Sequence, residues 1–520
     1  MKTHIVGGGN SFAEMEDIVR IGKKVRCEDK TFAAGGPILW SDGKQAYVLD
    51  DDRHTFIIGA TASGKTHAVI LPKMVTIAKK GESMIIHDPK GELYKHTKPL
   101  LDQKDYHVIV LNFSDPMSGN RWNPCIEAYK HYKAGNLDRS SMIIDDIKMS
   151  LISRVESERE AFWHVSAGNY FSGLFKIVRN EGEESDMTIE NIMALHTDGN
   201  EQFAGSTYLQ AYCSMLDKNN EIVSDLSGTI NTAKETKGGI DSVFSAPLAL
   251  FAQSGIRDMM STSDFSLNQI GKRKTAVYLI TPDERTTFNP IVSMFIKLCY
   301  GALIETSREK ENDACLPVRT HFVIDEFCNL PAIADMNQMI SAARSRGIKF
   351  HLSVQSLPQL YRTYTRETAE NIIANCGIKY VLRSSDSLLH NRVSEWGGHY
   401  LSEYTHTKRL LVEPTTIQRL PKGGVVIFTQ GEKPFYTKFL FFDEYSFNLP
   451  KARDVFIPVR EPREGTQFDS KDKIRTLKRN RLFESLEKEN NYPNVEFGIE
   501  GNPEEKVDKE KAKEKEADYE

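Results

Sequence analysis

"FIIGATASGKTHAVILPKM", residues 56–74, joins an apolar run to a glycine-bearing turn and then to residues with helical spacing. The turn fits G-x-x-x-x-G-K-[ST], with Gly59, Gly64, Lys65 and Thr66 at the fixed positions. A strand that stops at such a turn and restarts as a helix leaves the first helical N–H groups without intrahelical partners, and the aligned peptide dipoles add partial positive charge there. The loop Gly59, Ala60, Thr61, Ala62, Ser63, Gly64, Lys65 and Thr66 is therefore expected to cradle nucleotide phosphates. Glycine at 59 and 64 permits backbone angles that a side chain would forbid. Lys65 would reach the β- and γ-phosphates and the Thr66 hydroxyl would ligate Mg²⁺, so ATP and Mg²⁺ are the expected ligands. A chance glycine-rich turn is the bland alternative. The flanks argue against it: "TFII" reads as a buried strand and "KTHAVILPKMVTIAKK" as a helix.

Outward from the loop, residues 55–112 alternate strand and helix: "TFIIG", the loop helix, "SMIIHD", "GELYKHTKPLLDQ" and "HVIVLNF". Short apolar strands alternating with helices imply βαβ units and a parallel sheet. From about 125 to 265 the spacing is helical ("SSMIIDDIKMSLIS", "AFWHVSAGNYFSGLFKIV", "TIENIMALH", "TYLQAYCSML"), which predicts an all-α domain inserted into the first. The α/β rhythm resumes at "TAVYLIT", "THFVID", "IKFHLSV" and "IKYVLR", and a hairpin, "GGVVIFTQ" and "PFYTKFLFF", follows around "GEKP". The expected division is an irregular lead-in over 1–50, a split nucleotide-binding domain over 51–124 and 266–455, the all-α domain over 125–265, and a charged extension over 456–520, disordered from about 490.

"THFVIDEF" ends an apolar strand in Asp325 and Glu326. Asp325 can hold the Mg²⁺ shell and Glu326 can polarise a water for attack on the γ-phosphate. An acidic helix cap is the alternative, weakened by the presence of the phosphate loop. A kinase, which passes the phosphoryl group to a bound acceptor, has no need of the second carboxylate. "IKFHLSVQS" ends in Gln355, able to sense the γ-phosphate, and "SMIIHD" ends in Asp88. Ligands of open parallel sheets bind outside the carboxyl ends of the strands, so these ends are expected to converge. For Asp88 the structural reading is favoured, because "DPKGE" is also a natural helix start. Arg344 and Arg346 in "AARSRGI" follow Asp325, and Arg53 precedes Lys65. Most surface arginines are merely solvated, yet ring ATPases use arginines at a subunit edge to reach the neighbour's γ-phosphate.

The 520-residue chain exceeds one ordinary core, and its 40% apolar and 27% charged content is that of a soluble globular protein. The net charge of −5 sits mostly in residues 500–520, where nine acids and five lysines give −4. The body is thus near neutral, which leaves room for a basic channel face and does not exclude DNA. The seven cysteines lack C-x-x-C spacing, against a zinc or disulfide scaffold and for a reducing compartment. "MKTHIVGGGNSFAEMED" has no signal-peptide apolar core, and the 14-residue run "IVSMFIKLCYGALI", interrupted by Lys297, is too short to span a bilayer and reads as a buried helix.

Taken together, "GATASGKTHAVILP", "HDPKGELY", "NRWNP", "FSAPLALF", "THFVIDEFCNLPAI", "AARSRGIKFHLSVQSLPQL" and "NCGIKYVLR" resemble, in order and spacing, the type IV coupling protein family (TraG/TraD type), the RecA-like ATPases of conjugation and type IV secretion. The resemblance runs over about residues 1–450. It implies a RecA-like P-loop domain with an inserted all-α domain, ATP–Mg²⁺ on Lys65 and Thr66, Asp325 and Glu326 as metal and hydrolysis pair, Gln355 coupling hydrolysis to movement, and Arg53 and Arg344 acting in trans. It also implies a homo-hexamer that passes single-stranded DNA with its relaxase towards a type IV secretion channel and its ATPases. Most family members begin with transmembrane helices, and this chain begins where those would end. The expectation is a cytoplasmic protein at the inner face of the bacterial membrane, either tethered by a separate membrane protein or shortened.

Two rival readings remain, one that shares the motor and one of another class. A HerA/FtsK-like duplex translocase would not predict "HDPKGELY" combined with an all-α insertion. A docking receptor for secreted proteins would use ATP only to assemble. ABC and GTPase readings fail, since no LSGGQ-like stretch precedes Asp325 and no N-K-x-D occurs.

Overall fold

The structure, a computed structural model, describes residues 10–152, 158–309, 313–402, 407–450, 455–463 and 465–490. The chain divides into two compact units, Met1–Pro124 with Asp258–Arg463 and Cys125–Arg257 with Glu464–Glu520. The expected disorder beyond about 490 falls outside the described residues.

The first unit is organised by a nine-stranded sheet. We number its strands β1 (Thr55–Ile58), β2 (Ser83–Asp88), β3 (His107–Asn112), β4 (Thr275–Ile280), β5 (Thr320–Ile324), β6 (Ile348–Val354), β7 (Ile378–Val381), β8 (Gly424–Thr429) and β9 (Phe435–Lys438). Their spatial order is β9-β8-β7-β1-β6-β5-β2-β4-β3. The pairings from β7 to β3 are parallel, while β8 and β9 add an antiparallel hairpin at one edge. β1, β2, β4, β5 and β6 are buried at every residue, as a parallel sheet covered on both faces requires. That is why these segments read as mainly apolar runs, with His87, His321, Lys349 and His351 among the buried polar exceptions. β9 instead alternates, with Tyr436 and Lys438 exposed, as an edge strand does.

The helix Asn289–Ser307 contains the 14-residue apolar run and is buried along nearly its whole length, and Lys297 Nζ reaches Asp335 Oδ2 at 2.7 Å. Among the described residues no helix is long and apolar enough to cross a membrane.

The lead-in is more ordered than its sequence suggested. It carries a helix, Met15–Ile21, and a three-stranded antiparallel sheet of Lys23–Arg26, Ile38–Ser41 and Gln45–Val48. Val25, Ala46 and Val48 from these strands join the core of the first unit.

The second unit is helical, with Cys125–Lys133, Leu137–Leu151, Glu158–Glu181, Ile189–Gly199, Tyr208–Ser214, Glu221–Ile230 and Lys234–Leu248 as its main elements. The segment after 464 belongs to it. Phe468 N–H donates to Asn191 Oδ1 at 3.2 Å, Lys471 Nζ reaches Asp198 and Glu201 at 3.2 and 2.8 Å, and Phe468 and Ile474 are buried. The charged extension therefore includes a docked helix, Ser470–Asn490.

Candidate nucleotide site

The phosphate loop is threaded between the carboxyl ends of the two strands that flank β1, namely β6 and β7. Gly59 N–H donates to Val354 O at the end of β6 (3.3 Å), and Ala60 N–H donates to Arg383 O just beyond β7 (2.9 Å). The turn uses left-handed backbone at Ala62 (φ 60°) and Gly64 (φ 103°). A Cβ on Gly59 would stand 2.7 Å from Ser63 Oγ and 2.8 Å from Leu382 Cβ, so the close approach admits only glycine. Lys65–Ile70 leaves the turn as one π-helical stretch before the α-helix Leu71–Lys80. Lys65 Nζ bends back to Gly59 O (2.7 Å) and Ala60 O (3.3 Å). Burial pushes its pKa down, against the pull of Glu326 and Asp325.

β6 lies between the loop strand β1 and the Asp325 strand β5, and this order brings the three motifs into one hydrogen-bonded chain. Thr61 Oγ1 donates to Gln355 Oε1 (3.2 Å), Gln355 Nε2 to Glu326 Oε2 (2.9 Å), Glu326 N–H to Asp325 Oδ1 (3.0 Å), and Thr66 Oγ1 to Asp325 Oδ2 (3.1 Å). Glu326 holds φ 53°, a strained conformation for a side-chain-bearing residue, of the kind that gathers at functional sites. Burial, then the adjacent Asp325, raise its pKa, opposed by Lys65 and Gln355, so its carboxylate is a better base than a solvated one.

The donor set fits the expected ligands. A hydroxyl and a carboxylate 3.1 Å apart, Thr66 and Asp325, are hard oxygen donors of the kind Mg²⁺ takes, and the buried Ser63 hydroxyl beside the loop has no protein partner.

Asp88 belongs to the same edge but acts on its own backbone. Its Oδ2 accepts from Tyr94 N–H at 2.8 Å, in the first turn of the helix Glu92–Gln103. Burial raises its pKa to about 6.

Arg53 and Arg344 lie elsewhere. Arg53 precedes β1, with Nε 2.6 Å from Asp51 Oδ2 and Nη1 donating to Gln430 O at 3.1 Å. Arg344 precedes β6 and pairs through Nε with Asp52 Oδ2 at 3.0 Å. Both stand at the amino edge of the sheet. The seven residues of β6, at about 3.3 Å each, separate Arg344 from Gln355 by roughly 23 Å. Neither arginine reaches the phosphate loop of its own chain.

Two contributors, His87 and Gly423, had no role in the sequence-based expectation, and Thr61, expected only as part of the phosphate loop, gains a second contact. His87 donates from Nδ1 to Asp325 O (2.6 Å) and accepts at Nε2 from Thr281 Oγ1 (3.2 Å), so it fixes the backbone under the acidic pair. Burial pulls its pKa down to about 4 and keeps the ring neutral. A histidine inside the apolar run "SMIIHD" was the available signal. Thr61 joins the chain through Gln355, and Gly423, at φ 79°, donates its N–H to Ser63 O at 3.3 Å; no local pattern marks the latter.

Residues 10–400 match the family described as type IV secretory system conjugative DNA transfer. The chain belongs to the type IV coupling protein family. It is 22% identical to the VirD4 protein of Rhizobium rhizogenes over 446 residues, covering 82% of this chain and 63% of that protein. It is 23% identical to the conjugal transfer protein TraG of Escherichia coli over 437 residues, covering 74% and 66%. The chain thus spans less than two thirds of the length of either. Among solved structures it resembles the plasmid coupling protein TrwB bound to a non-hydrolysable ATP analogue, with TM-score 0.60, 15% identity and coverage of 89% of this chain and 97% of that one. TrwB with ADP and Mg²⁺ gives TM-score 0.59 at the same identity, with 89% and 98% coverage. The parallel α/β sheet expected from the strand rhythm, and the RecA-like fold implied by the family resemblance, are the ones observed.

Proposed function

We propose that this coupling protein hydrolyses ATP and uses the cycle to pass single-stranded DNA, with an attached relaxase, into a type IV secretion channel. The observation that carries the reading is the hydrogen-bonded chain Thr61–Gln355–Glu326–Asp325–Thr66 at the carboxyl edge, set against two arginines at the opposite edge. Lys65 and the loop N–H groups hold the phosphates. Thr66 and Asp325 hold Mg²⁺, which would neutralise charge developing between the β- and γ-phosphates. Glu326 accepts a proton from the attacking water. Gln355, bonded to both Glu326 and Thr61, registers the loss of the γ-phosphate and passes it to β6.

Arg53 and Arg344, too far from their own loop, serve the nucleotide of an adjacent subunit in a homo-hexamer. TrwB's complexes with nucleotide and with Mg²⁺ support the ligand assignment by analogy of fold. Family membership supports, as part of this proposal, a relaxase, channel ATPases and attachment at the membrane as partners.

The deciding experiment measures ATP hydrolysis with single-stranded DNA, with duplex DNA and without DNA. Stimulation by single strands is expected. Hydrolysis indifferent to single-stranded DNA, with ATP binding intact, would overturn the motor reading in favour of a docking receptor, and stimulation by duplex alone would favour a duplex translocase.

A further inference from the structure

His67 follows Thr66 directly, yet it turns away from the nucleotide chain. Its Nε2 lies 2.8 Å from Glu92 Oε1. Glu92 and His96 are four residues apart on the helix Glu92–Gln103 and so share one face. The His67 and His96 rings meet edge to face with centroids 5.7 Å apart, and one ligand atom from each of His67, Glu92 and His96 lies within 4.8 Å of the others. The Phe442 ring packs edge-on against His96, 5.4 Å between centroids, and limits its swing. All three side chains are half-buried, reachable by an ion and its water. Nothing in the proposed hydrolytic cycle uses any of them.

We propose that His67, Glu92 and His96 form a binding site for a divalent transition ion, Zn²⁺ by preference, with water as fourth ligand. Two imidazoles and one carboxylate suit a borderline ion, whereas Mg²⁺ takes oxygen donors in an octahedral shell. Zinc bonds of about 2.0–2.1 Å place tetrahedral ligand atoms about 3.3 Å apart, so the widest pair must close by about 1.5 Å, a shift within reach of half-exposed side chains. The site is separate from the Mg²⁺ position, because Thr66 faces Asp325 while His67 faces Glu92. A bound ion would clamp the first turn of the loop helix to the helix after "DPKG", and so stiffen the phosphate loop from behind.

Co²⁺ is the probe, since its visible absorption separates tetrahedral from octahedral coordination. Metal-stripped full chain without nucleotide should take up one Co²⁺ with intense tetrahedral bands. Stoichiometric Zn²⁺ should bleach them and millimolar Mg²⁺ should not. His96→Ala and Glu92→Ala should each weaken binding at least tenfold, and Asp325→Asn should leave the bands intact. Zn²⁺ should also raise the Tm of the wild-type chain and not of His96→Ala, a comparison that survives if Glu92→Ala folds poorly. Absence of tetrahedral bands in the wild type, their persistence in His96→Ala, or their loss in Asp325→Asn would each overturn the proposal.

Discussion

The two edges of the central sheet are built from the same strands and carry different chemistry. At their carboxyl ends β1, β5 and β6 deliver Gly59–Thr66, Asp325, Glu326 and Gln355 into one hydrogen-bonded chain. At their amino ends they carry Arg53, His54, Arg319, Arg344 and Lys349. There Arg319 reaches Asp50 and Glu82 at 2.8 and 3.2 Å, and Glu82 Oε2 meets His321 Nε2 at 2.7 Å. His321 Nδ1 meets His351 Nε2 at 2.9 Å, and His351 Nδ1 meets Thr55 Oγ1 at 3.1 Å. The carboxyl edge works through the backbone amides of one local loop and through side chains that meet that loop from 259 and 294 residues away. The amino edge works through long charged side chains paired across more than two hundred residues. One edge is a site within a chain; the other is where the proposed trans-acting role of Arg53 and Arg344 would require a second chain.

The largest expected effect is at the carboxyl edge. Lys65→Ala should abolish hydrolysis by losing nucleotide affinity, whereas Glu326→Gln should abolish it while trapping bound ATP. Nucleotide-retention measurements beside steady-state rates distinguish the two. A Glu326→Gln protein that hydrolyses ATP at near wild-type rate would remove the water-activating role.

Next comes the amino edge. Arg53→Ala and Arg344→Ala should spare ATP binding and lower turnover, trans-acting arginines in GTPases being worth about 10³–10⁵ in rate. Wild-type activity per subunit should rise steeply with protein concentration. Mixing an arginine variant with Glu326→Gln subunits should restore some activity, because an intact pocket then meets an intact neighbouring arginine. Mixed rings without rescue would return both arginines to the solvated surface.

The contrast between edges also explains what could be read in advance. Gly59–Thr66 and Asp325–Glu326 are short motifs at strand ends, where chemistry dictates residue type at fixed spacing. The insertion of β6 between β1 and β5 is a product of packing across the whole sheet, so the contacts Gln355 makes had no local signature. The strand Lys23–Arg26 escaped notice because its single buried residue, Val25, sits among three cations. The helix Ser470–Asn490 did so because its docking rests on a few buried apolar groups, Phe468 and Ile474, within a strongly charged stretch.

Acid should separate the edges more gently. Burial pulls the pKa of His54 and of His87 down to about 4 and holds His321 and His351 below the ordinary range as well. Each is neutral when folded and takes a proton when unfolded, so stability present above pH ~6.5 is lost as pH falls towards 4, at up to about 1.4 kcal/mol per pH unit for each group. Asp88, raised to about 6, opposes the trend with one proton. Three of the four histidines stand at or near the amino edge. Thermal unfolding followed from pH 7 to 4.5 should therefore show a steep decline that His321→Gln lessens more than it lowers stability at pH 7.5. A flat profile would mean these imidazoles are already solvated.

The smallest effect expected is at Asp88, and it tests whether every acid at the carboxyl edge is chemical. Asp88 is 1% exposed and spends its Oδ2 on the Tyr94 N–H, inside the first turn of a helix. An asparagine keeps an oxygen acceptor there and removes a buried charge that burial already disfavours. Asp88→Asn should thus cost no more than about 1–2 kcal/mol, the range for a weakened helix cap, and leave turnover per folded subunit within about twofold. Asp88→Ala, which removes the acceptor, should cost more stability and still leave turnover per folded subunit near wild type. Glu326→Gln, an equally small change at the end of the neighbouring strand, should behave in the opposite way, with stability kept and turnover lost. If Asp88→Asn retains ATP binding and stability but loses hydrolysis, the carboxyl edge holds a third catalytic acid, and the division between cap and chemistry drawn from the Tyr94 bond is wrong.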